Sequence, residues 1–183
     1  MSTEISASVV MQLREKTGAG MMDCKKALTE AGGDPEKAVE ILRQRGLKKS
    51  AEKASRVAKE GIILAMINAE NNFGSIVEIN CETDFVAKND DFVKFSTSVL
   101  DQVHQTKPAN LDAFLSSTAA YDKGRSVADT AGELTGKIGE KIAIKRFASL
   151  ETQSGVVAEY IHPGNKLGVL VQLVVEGYTP LLQ

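Results

Sequence analysis

The chain has 183 residues, of which 43% are hydrophobic and 25% charged, and its formal net charge is −2 at pH 7. This ordinary globular composition excludes the strongly basic profile with which nucleic-acid binders neutralise phosphates. The charge is uneven, because residues 1–60 carry a local balance of +3 and residues 61–183 a balance of −5. Two cysteines, Cys24 and Cys81, are too few for a disulfide framework, and we expect free thiols in a reducing compartment.

Membrane and export signals are missing from the sequence. No apolar stretch is long enough to cross a bilayer. The N-terminal residues have neither the apolar region of a secretory signal nor the arginine-rich character of a transit peptide. We therefore predict a cytoplasmic protein with no membrane partner.

Residues 1–46 favour three short helices. Apolar residues recur at helical spacing in the first, and a glycine-containing turn separates it from a second helix over residues 22–31. Asp34 and Pro35 suit the N-cap and first residue of a third helix, which we expect Gly46 to end. The sequence thus predicts a small three-helix bundle.

Residues 47–60 are rich in alanine and lysine and poor in apolar side chains. We interpret them as a basic helical linker with a solvated face. The basic run over residues 43–59 would also suit a nucleic-acid arm, which is the alternative interpretation. That alternative predicts an affinity that falls steeply with salt.

Strand patterns begin at Gly61. Residues 62–68 and 74–81 are β-rich and are joined by a polar segment, which predicts a hairpin. Three helical segments follow, and residues 141–147 suit a strand that closes a three-stranded antiparallel sheet with helices on one face. The fold class is therefore α+β, with a first core subdomain over residues 61–151.

The hairpin sequence recurs near the end of the chain at a constant offset of 94 residues. Two stretches match without a gap: residues 61–64 with 155–158, and residues 73–79 with 167–173. We expect residues 152–183 to form this second hairpin as the start of an incomplete second subdomain. Because residues 169–175 are apolar on both faces, the hairpin docks on the first sheet, or its open edge pairs with another chain, or the sequence is truncated.

No constellation of residues suggests catalysis. His104 and His162 are isolated, and no Cys and His residues have metal-ligand spacing. The glycine-containing turn lacks both the strand and the Lys-Ser/Thr of a phosphate cradle. We predict no catalytic residue, no metal site and no cofactor.

Two short stretches suit a partner surface. Met21 and Met22 cannot both face the core of a helix, because neighbours lie roughly 100° apart. The outward one is either incidental or a soft, adaptable contact. Asp84 and Phe85 follow a strand on a connecting segment, where function tends to sit. A Phe after a strand is more often part of the core, and Asp84 could be only a local cap, so both interpretations remain open.

Two long motifs carry a family resemblance. Residues 13–28, with the sequence LREKTGAGMMDCKKAL, resemble the N-terminal signature of elongation factor Ts, and residues 78–88, EINCETDFVAK, resemble its second signature. The similarity extends through residues 137–142 into the second hairpin, so it covers nearly the whole chain.

The resemblance implies a function and a partner. The family consists of nucleotide-exchange factors for the GTPase elongation factor Tu. It implies that the chain binds elongation factor Tu–GDP and promotes GDP release during translation elongation, without the covalent chemistry of an enzyme. It also implies that the N-terminal bundle is similar to ubiquitin-associated domains and docks on the GTPase domain around Arg14, Met21 and Met22.

The second signature implies a second contact. By resemblance, Thr83, Asp84, Phe85 and Val86 enter near the nucleotide site of elongation factor Tu, where Phe85 wedges between helices and disturbs the Mg²⁺ site. Compared with long members the chain is short or truncated at its C-terminus. Short members work as homodimers, so the resemblance allows self-association, and it implies no direct nucleic-acid partner. The alternative is a non-catalytic protein-binding module with no exchange activity and no dependence on Asp84 or Phe85.

Overall fold

The computed structural model describes residues 5–122 and 124–176. Helices and two antiparallel sheets make it up, which confirms the predicted α+β class. The helices are α1 Ala7–Thr17, α2 Met21–Glu30, α3 Pro35–Lys53, α4 Asp84–Ala87, α5 Asp90–Thr106, α6 Leu111–Ser116 and α7 Val127–Ile138. The strands are β1 Glu60–Ile67, β2 Phe73–Cys81, β3 Ala143–Glu151, β4 Gly155–Ile161 and β5 Gly168–Val174. Within the described ranges, no helix combines the length and apolar character that crossing a membrane requires.

The chain divides into two compact units. Unit 1 comprises the described residues of the ranges 1–56 and 132–141, and unit 2 comprises those of the ranges 57–131 and 142–183. Helix α7 therefore begins in unit 2 and ends in unit 1. The division at residues 46, 60 and 151 that the sequence suggested stays a prediction.

The core of unit 1 lies where α1, α2 and α3 meet. Ser6 begins α1 by accepting a hydrogen bond from the Val9 N–H. Asp34 begins α3 as predicted, because its carboxylate accepts from the N–H groups of Glu36 and Lys37 at 2.9 and 3.2 Å. The Lys37 N–H and then the Glu36 N–H are the donors that lower the pKa of the Asp34 carboxyl. The buried side chains of this core are Val10, Leu13, Cys24, Ala27, Leu28 and Ala38.

Gly46 does not end α3, contrary to the expectation from the sequence. The helix continues to Lys53, so the first half of the predicted linker belongs to it. Gly46 instead lies against Gly136 of α7, where a Cβ added to Gly136 would be 2.4 Å from the Gly46 Cα. Glycine is used here for close approach of two backbones within unit 1, and not for a helix end.

The first sheet of unit 2 has the predicted three antiparallel strands in the order β1-β2-β3. In its register Ile79 of β2 lies opposite Ile62 of β1, and a bulge falls between Glu78 and Ile79 on the β3 side. Helix α5 packs against β1 and β2 and buries one apolar face. The buried apolar residues of α5 are Phe92, Phe95, Val99, Leu100 and Val103.

The second hairpin, β4 and β5, docks on the first, which is one of the three outcomes that the sequence left open. The Val157 N–H donates to the Asn71 carbonyl at 2.7 Å, and the Ile63 N–H donates to the Asn165 carbonyl at 2.8 Å. Both asparagines have left-handed backbones, with φ of 54° and 58°. Residues 63 and 157, like residues 71 and 165, differ by the offset of 94, so the repeat is confirmed as two hairpins in reciprocal contact.

One face of β5 differs in burial from its counterpart in β2. Ser75, Val77 and Ile79 are at most 1% exposed. Their counterparts at the same offset are Val169, Val171 and Leu173, which are 42%, 42% and 53% exposed. Pairing of this second hairpin with another chain stays a prediction.

This contrast gives a matched pair of substitutions. Val77→Ala should reduce the free energy of unfolding by about 2–3 kcal/mol, because it removes two buried carbon groups and leaves a cavity. Val171→Ala should reduce the free energy of unfolding by no more than about 1 kcal/mol. The substitution changes strand propensity as Val77→Ala does, but the side chain it removes is much less buried. Urea denaturation of both variants measures the difference. Equal losses of unfolding free energy would contradict the exposure of Val171 in β5.

Candidate partner-binding site

The strongest candidate site is the Phe85 turn, which we define as residues 83–88 after the end of β2. Its first half is closed by two contacts. The Thr83 hydroxyl accepts from the Val86 N–H at 3.4 Å and so caps α4. The thiol of Cys81 donates to the Thr83 carbonyl at 3.1 Å. The second half is closed by the Lys88 N–H, which donates to the Phe85 carbonyl at 3.2 Å. The turn is therefore a closed piece of backbone with a definite direction.

Phe85 projects outward from this turn. Its side chain is 82% exposed, whereas Val86 and Ala87 are only 9% and 5% exposed. Successive helical residues differ by roughly 100° in direction, so a single turn can bury Val86 and Ala87 and still present Phe85. The alternative in which Phe85 belongs to the core is therefore wrong. Val86, the fourth residue of the predicted site, acts from inside as an anchor of the turn.

Asp84 lies beside Phe85 with its carboxylate paired to Lys88. The Lys88 Nζ is 3.1 Å from the Asp84 carboxylate, and the two side chains are 76% and 51% exposed. Exposed pairs at this helical spacing contribute only about 0.3–0.5 kcal/mol. Asp84 can therefore exchange Lys88 for another partner at little cost in free energy.

The second predicted cluster lies in unit 1. Met21 and Met22 are 42% and 61% exposed, and Arg14 in the last turn of α1 is also exposed. The alternative in which one methionine belongs to the core is wrong, because the buried face of α2 begins one turn later with Cys24. Both thioethers are available as adaptable apolar contacts.

A shallow depression of about 450 Å³ beside Met22 was not anticipated from the sequence. Its lining residues are Met22, Lys25, Lys26, Thr29, Glu30 and Arg45. Met22, Lys25 and Lys26 are three and four residues apart, so they share one face of α2. That spacing was the signal that could have identified it. The lining of the depression combines the apolar Met22 with three basic side chains and one carboxylate, and this surplus of positive charge favours an acidic partner surface.

The described residues were also searched for side chains that could bind a metal ion. Across residues 5–122 and 124–176, no group of three or more His, Cys, Asp or Glu is arranged to hold a metal ion. Cys24 and Cys81 are both buried free thiols. The two candidate surfaces consist of apolar, basic and carboxylate side chains.

Comparison with known proteins adds the family. The sequence profile of one family, described as Elongation factor TS, matches residues 82–180, which is more than half of the chain and includes the Phe85 turn. The chain belongs to the elongation factor Ts family. Its membership was anticipated from the two signature motifs.

Several proteins named elongation factor Ts match nearly the whole chain. That of Clostridium kluyveri is 45% identical over 179 residues, which are 98% of this chain and 58% of the relative. That of Prosthecochloris aestuarii is 47% identical over 175 residues, 95% of this chain and 61% of the relative. That of Clostridium perfringens is 48% identical over 178 residues, 97% and 58% of the two. The chain therefore spans about three fifths of the length of these elongation factor Ts relatives, and their similarity includes unit 1.

Proposed function

We propose that this chain is a guanine-nucleotide exchange factor that binds elongation factor Tu–GDP and promotes GDP release during translation elongation. Membership of the elongation factor Ts family supports the partner. The observation that carries the mechanism is the Phe85 ring, 82% exposed on a turn that its buried neighbours hold in place. A large apolar side chain in that position has little to stabilise it in the free protein and much to gain from a partner pocket.

The proposed step at the nucleotide site is a displacement without covalent chemistry. Burying Phe85 in elongation factor Tu would contribute roughly 1.5–3 kcal/mol toward a distorted conformation of the partner. Mg²⁺ requires near-ideal octahedral geometry, so a small shift of its surroundings weakens the ion and the phosphates that it bridges. Thr83, Asp84 and Phe85 enter beside that site, while Val86 holds the turn from within unit 2.

Linkage makes the exchange reversible. If the chain weakens GDP on elongation factor Tu, bound nucleotide must weaken the chain by the same factor. Rebinding of GTP then releases the exchange factor. The chain is therefore not consumed, and no bond is made or broken by it.

Unit 1 supplies the second contact in this proposal. Its three-helix bundle, similar to ubiquitin-associated domains, docks on the GTPase domain through Arg14, Met21 and Met22. A guanidinium can hold a carboxylate with two parallel hydrogen bonds, and the thioethers adapt to an uneven apolar surface. This contact anchors the complex while the Phe85 turn acts at the nucleotide.

Release of labelled GDP from elongation factor Tu, with and without the chain, tests the function. We expect an increase in the release rate of about 10- to 150-fold, because about 1.5–3 kcal/mol applied to the nucleotide site corresponds to that range. Binding to elongation factor Tu without faster release would support the plain binding module. Absence of binding would contradict both functions.

A further inference from the structure

Asn89 joins the Phe85 turn to the long helix that follows. Its backbone is extended, with φ −71° and ψ 135°, and its side-chain oxygen accepts from the N–H groups of Asp91 and Phe92 at 2.9 and 3.4 Å. Its own N–H donates back to the Val86 carbonyl at 3.0 Å, and its carbonyl accepts from the Val93 N–H at 2.9 Å. One residue therefore ends α4 and begins α5.

The two helices on either side of Asn89 differ greatly in how firmly they are held. Helix α5 has 17 residues, and Phe92 and Val99 are 0% exposed where it packs on the first sheet. Helix α4 has only four residues, Asp84–Ala87. A single helical turn is not stable by itself, because nucleation fixes several residues for one hydrogen bond. The direction of α4, and of Phe85 on it, must therefore come from its surroundings.

The ion pair between Asp84 and Lys88 cannot supply that direction, because both side chains are largely exposed and such pairs are weak. The beginning of the turn is held by the contacts of Thr83, and its middle by the burial of Val86 and Ala87. The hydrogen bonds of Asn89 hold its end, since they tie the Val86 carbonyl to the first turn of α5.

We propose that Asn89 is a positioning residue that sets the direction in which Phe85 points, and this inference rests on the proposed exchange function. Without the side-chain oxygen, α5 can begin one residue earlier or later. The N–H of residue 89 then no longer holds the Val86 carbonyl. Phe85 stays exposed but samples several directions, so fewer encounters with the partner place the ring at the nucleotide site.

Asn110 provides a matched control. Its side-chain oxygen caps α6 by accepting from the Ala113 N–H at 2.8 Å, so it has the same role at another helix of unit 2. Asn89→Ala and Asn110→Ala should reduce the urea midpoint by similar amounts, because each removes one helix cap. Asn89→Asp keeps an acceptor oxygen and should behave as the wild type.

The first measurement is GDP release from elongation factor Tu at saturating concentrations of each variant. We expect Asn89→Ala to lower the maximal rate about three- to tenfold, because the typical cost of losing one cap, about 1 kcal/mol, corresponds to about fivefold. Asn110→Ala and Asn89→Asp should keep the wild-type rate. Equal losses in the two alanine variants would show a general effect of stability and would overturn the inference.

The second measurement is amide hydrogen exchange of the chain alone, which does not depend on elongation factor Tu. The amides of Ala87 and Lys88 should exchange faster in Asn89→Ala and at the wild-type rate in Asn110→Ala. Unchanged protection in Asn89→Ala would overturn the role of Asn89 whatever the GDP assay gives. If the wild-type chain does not accelerate GDP release from elongation factor Tu, the proposed function is wrong. The amide exchange rates then still decide whether Asn89 holds the turn.

Discussion

Phe85→Ala is expected to remove most of the acceleration of GDP release while leaving the protein folded. The side chain is 82% exposed, so its removal should change the free energy of unfolding by no more than about 0.5 kcal/mol. The same side chain, buried in the partner, would contribute roughly 1.5–3 kcal/mol, which corresponds to a loss of release rate of about 10- to 150-fold. Stopped-flow release of labelled GDP and urea denaturation together measure the two effects.

The control for this variant is Val57→Ala. Val57 is an exposed apolar residue of the same unit, 68% exposed, and it lies outside the Phe85 turn. Its substitution should leave the release rate unchanged. Normal exchange by Phe85→Ala would remove the wedge mechanism, and equal losses in Phe85→Ala and Val57→Ala would point to a non-specific apolar contact. Phe85→Leu should retain part of the activity, because it keeps much of the apolar area without the ring.

The sequence predicted those elements whose signals are local or recur along the chain. Neighbouring residues indicated the Asp34 cap and the strands of the first hairpin, and matching stretches 94 residues apart indicated the repeat. The repeat also left docking of the second hairpin as one of three outcomes. The repeat could not predict that the carbonyls of Asn71 and Asn165 accept hydrogen bonds from the other hairpin. The identity of a turn residue does not indicate which strand will donate to its carbonyl.

The sequence identified residues 83–86 as a candidate site but could not predict which of their side chains are exposed. Four residues of α4 are too few to show a periodicity, so the sequence could not separate the exposed Phe85 from the buried Val86. The expectation that Gly46 ends α3 was wrong for a related reason. Glycine suits both a helix end and a close helix contact, and the contact depends on Gly136, which is distant in the sequence.

The crossing of these two glycines gives the second large expected effect, a loss of stability in Gly136→Ala. The new Cβ would lie 2.4 Å from the Gly46 Cα and 3.0 Å from the Gly46 carbonyl carbon and oxygen. These are backbone atoms of α3, which cannot move aside as the end of a side chain would. Overpacking reduces the free energy of unfolding by up to about 3 kcal/mol, and we expect the upper value here because backbone atoms clash. The better helix propensity of alanine offsets about 1 kcal/mol of this loss. The net loss should be about 2 kcal/mol in the free energy of unfolding.

Gly46→Ala is the matched control, with the opposite sign expected at the same crossing. A Cβ added there would have Gly136 Cα at 3.8 Å and Glu133 Cα at 4.0 Å as its nearest neighbours, both ordinary contact distances. With no clash to oppose it, the gain in helix propensity should stabilise the protein by up to about 1 kcal/mol.

Urea denaturation followed by far-ultraviolet circular dichroism compares the two variants. If both substitutions stabilise, the backbones are not in close contact, and Gly46 must then be explained by local helix geometry alone. If both substitutions destabilise the protein, a Cβ on Gly46 clashes as well. Helices α3 and α7 must then be closer than the distances of 3.8 and 4.0 Å around Gly46 indicate.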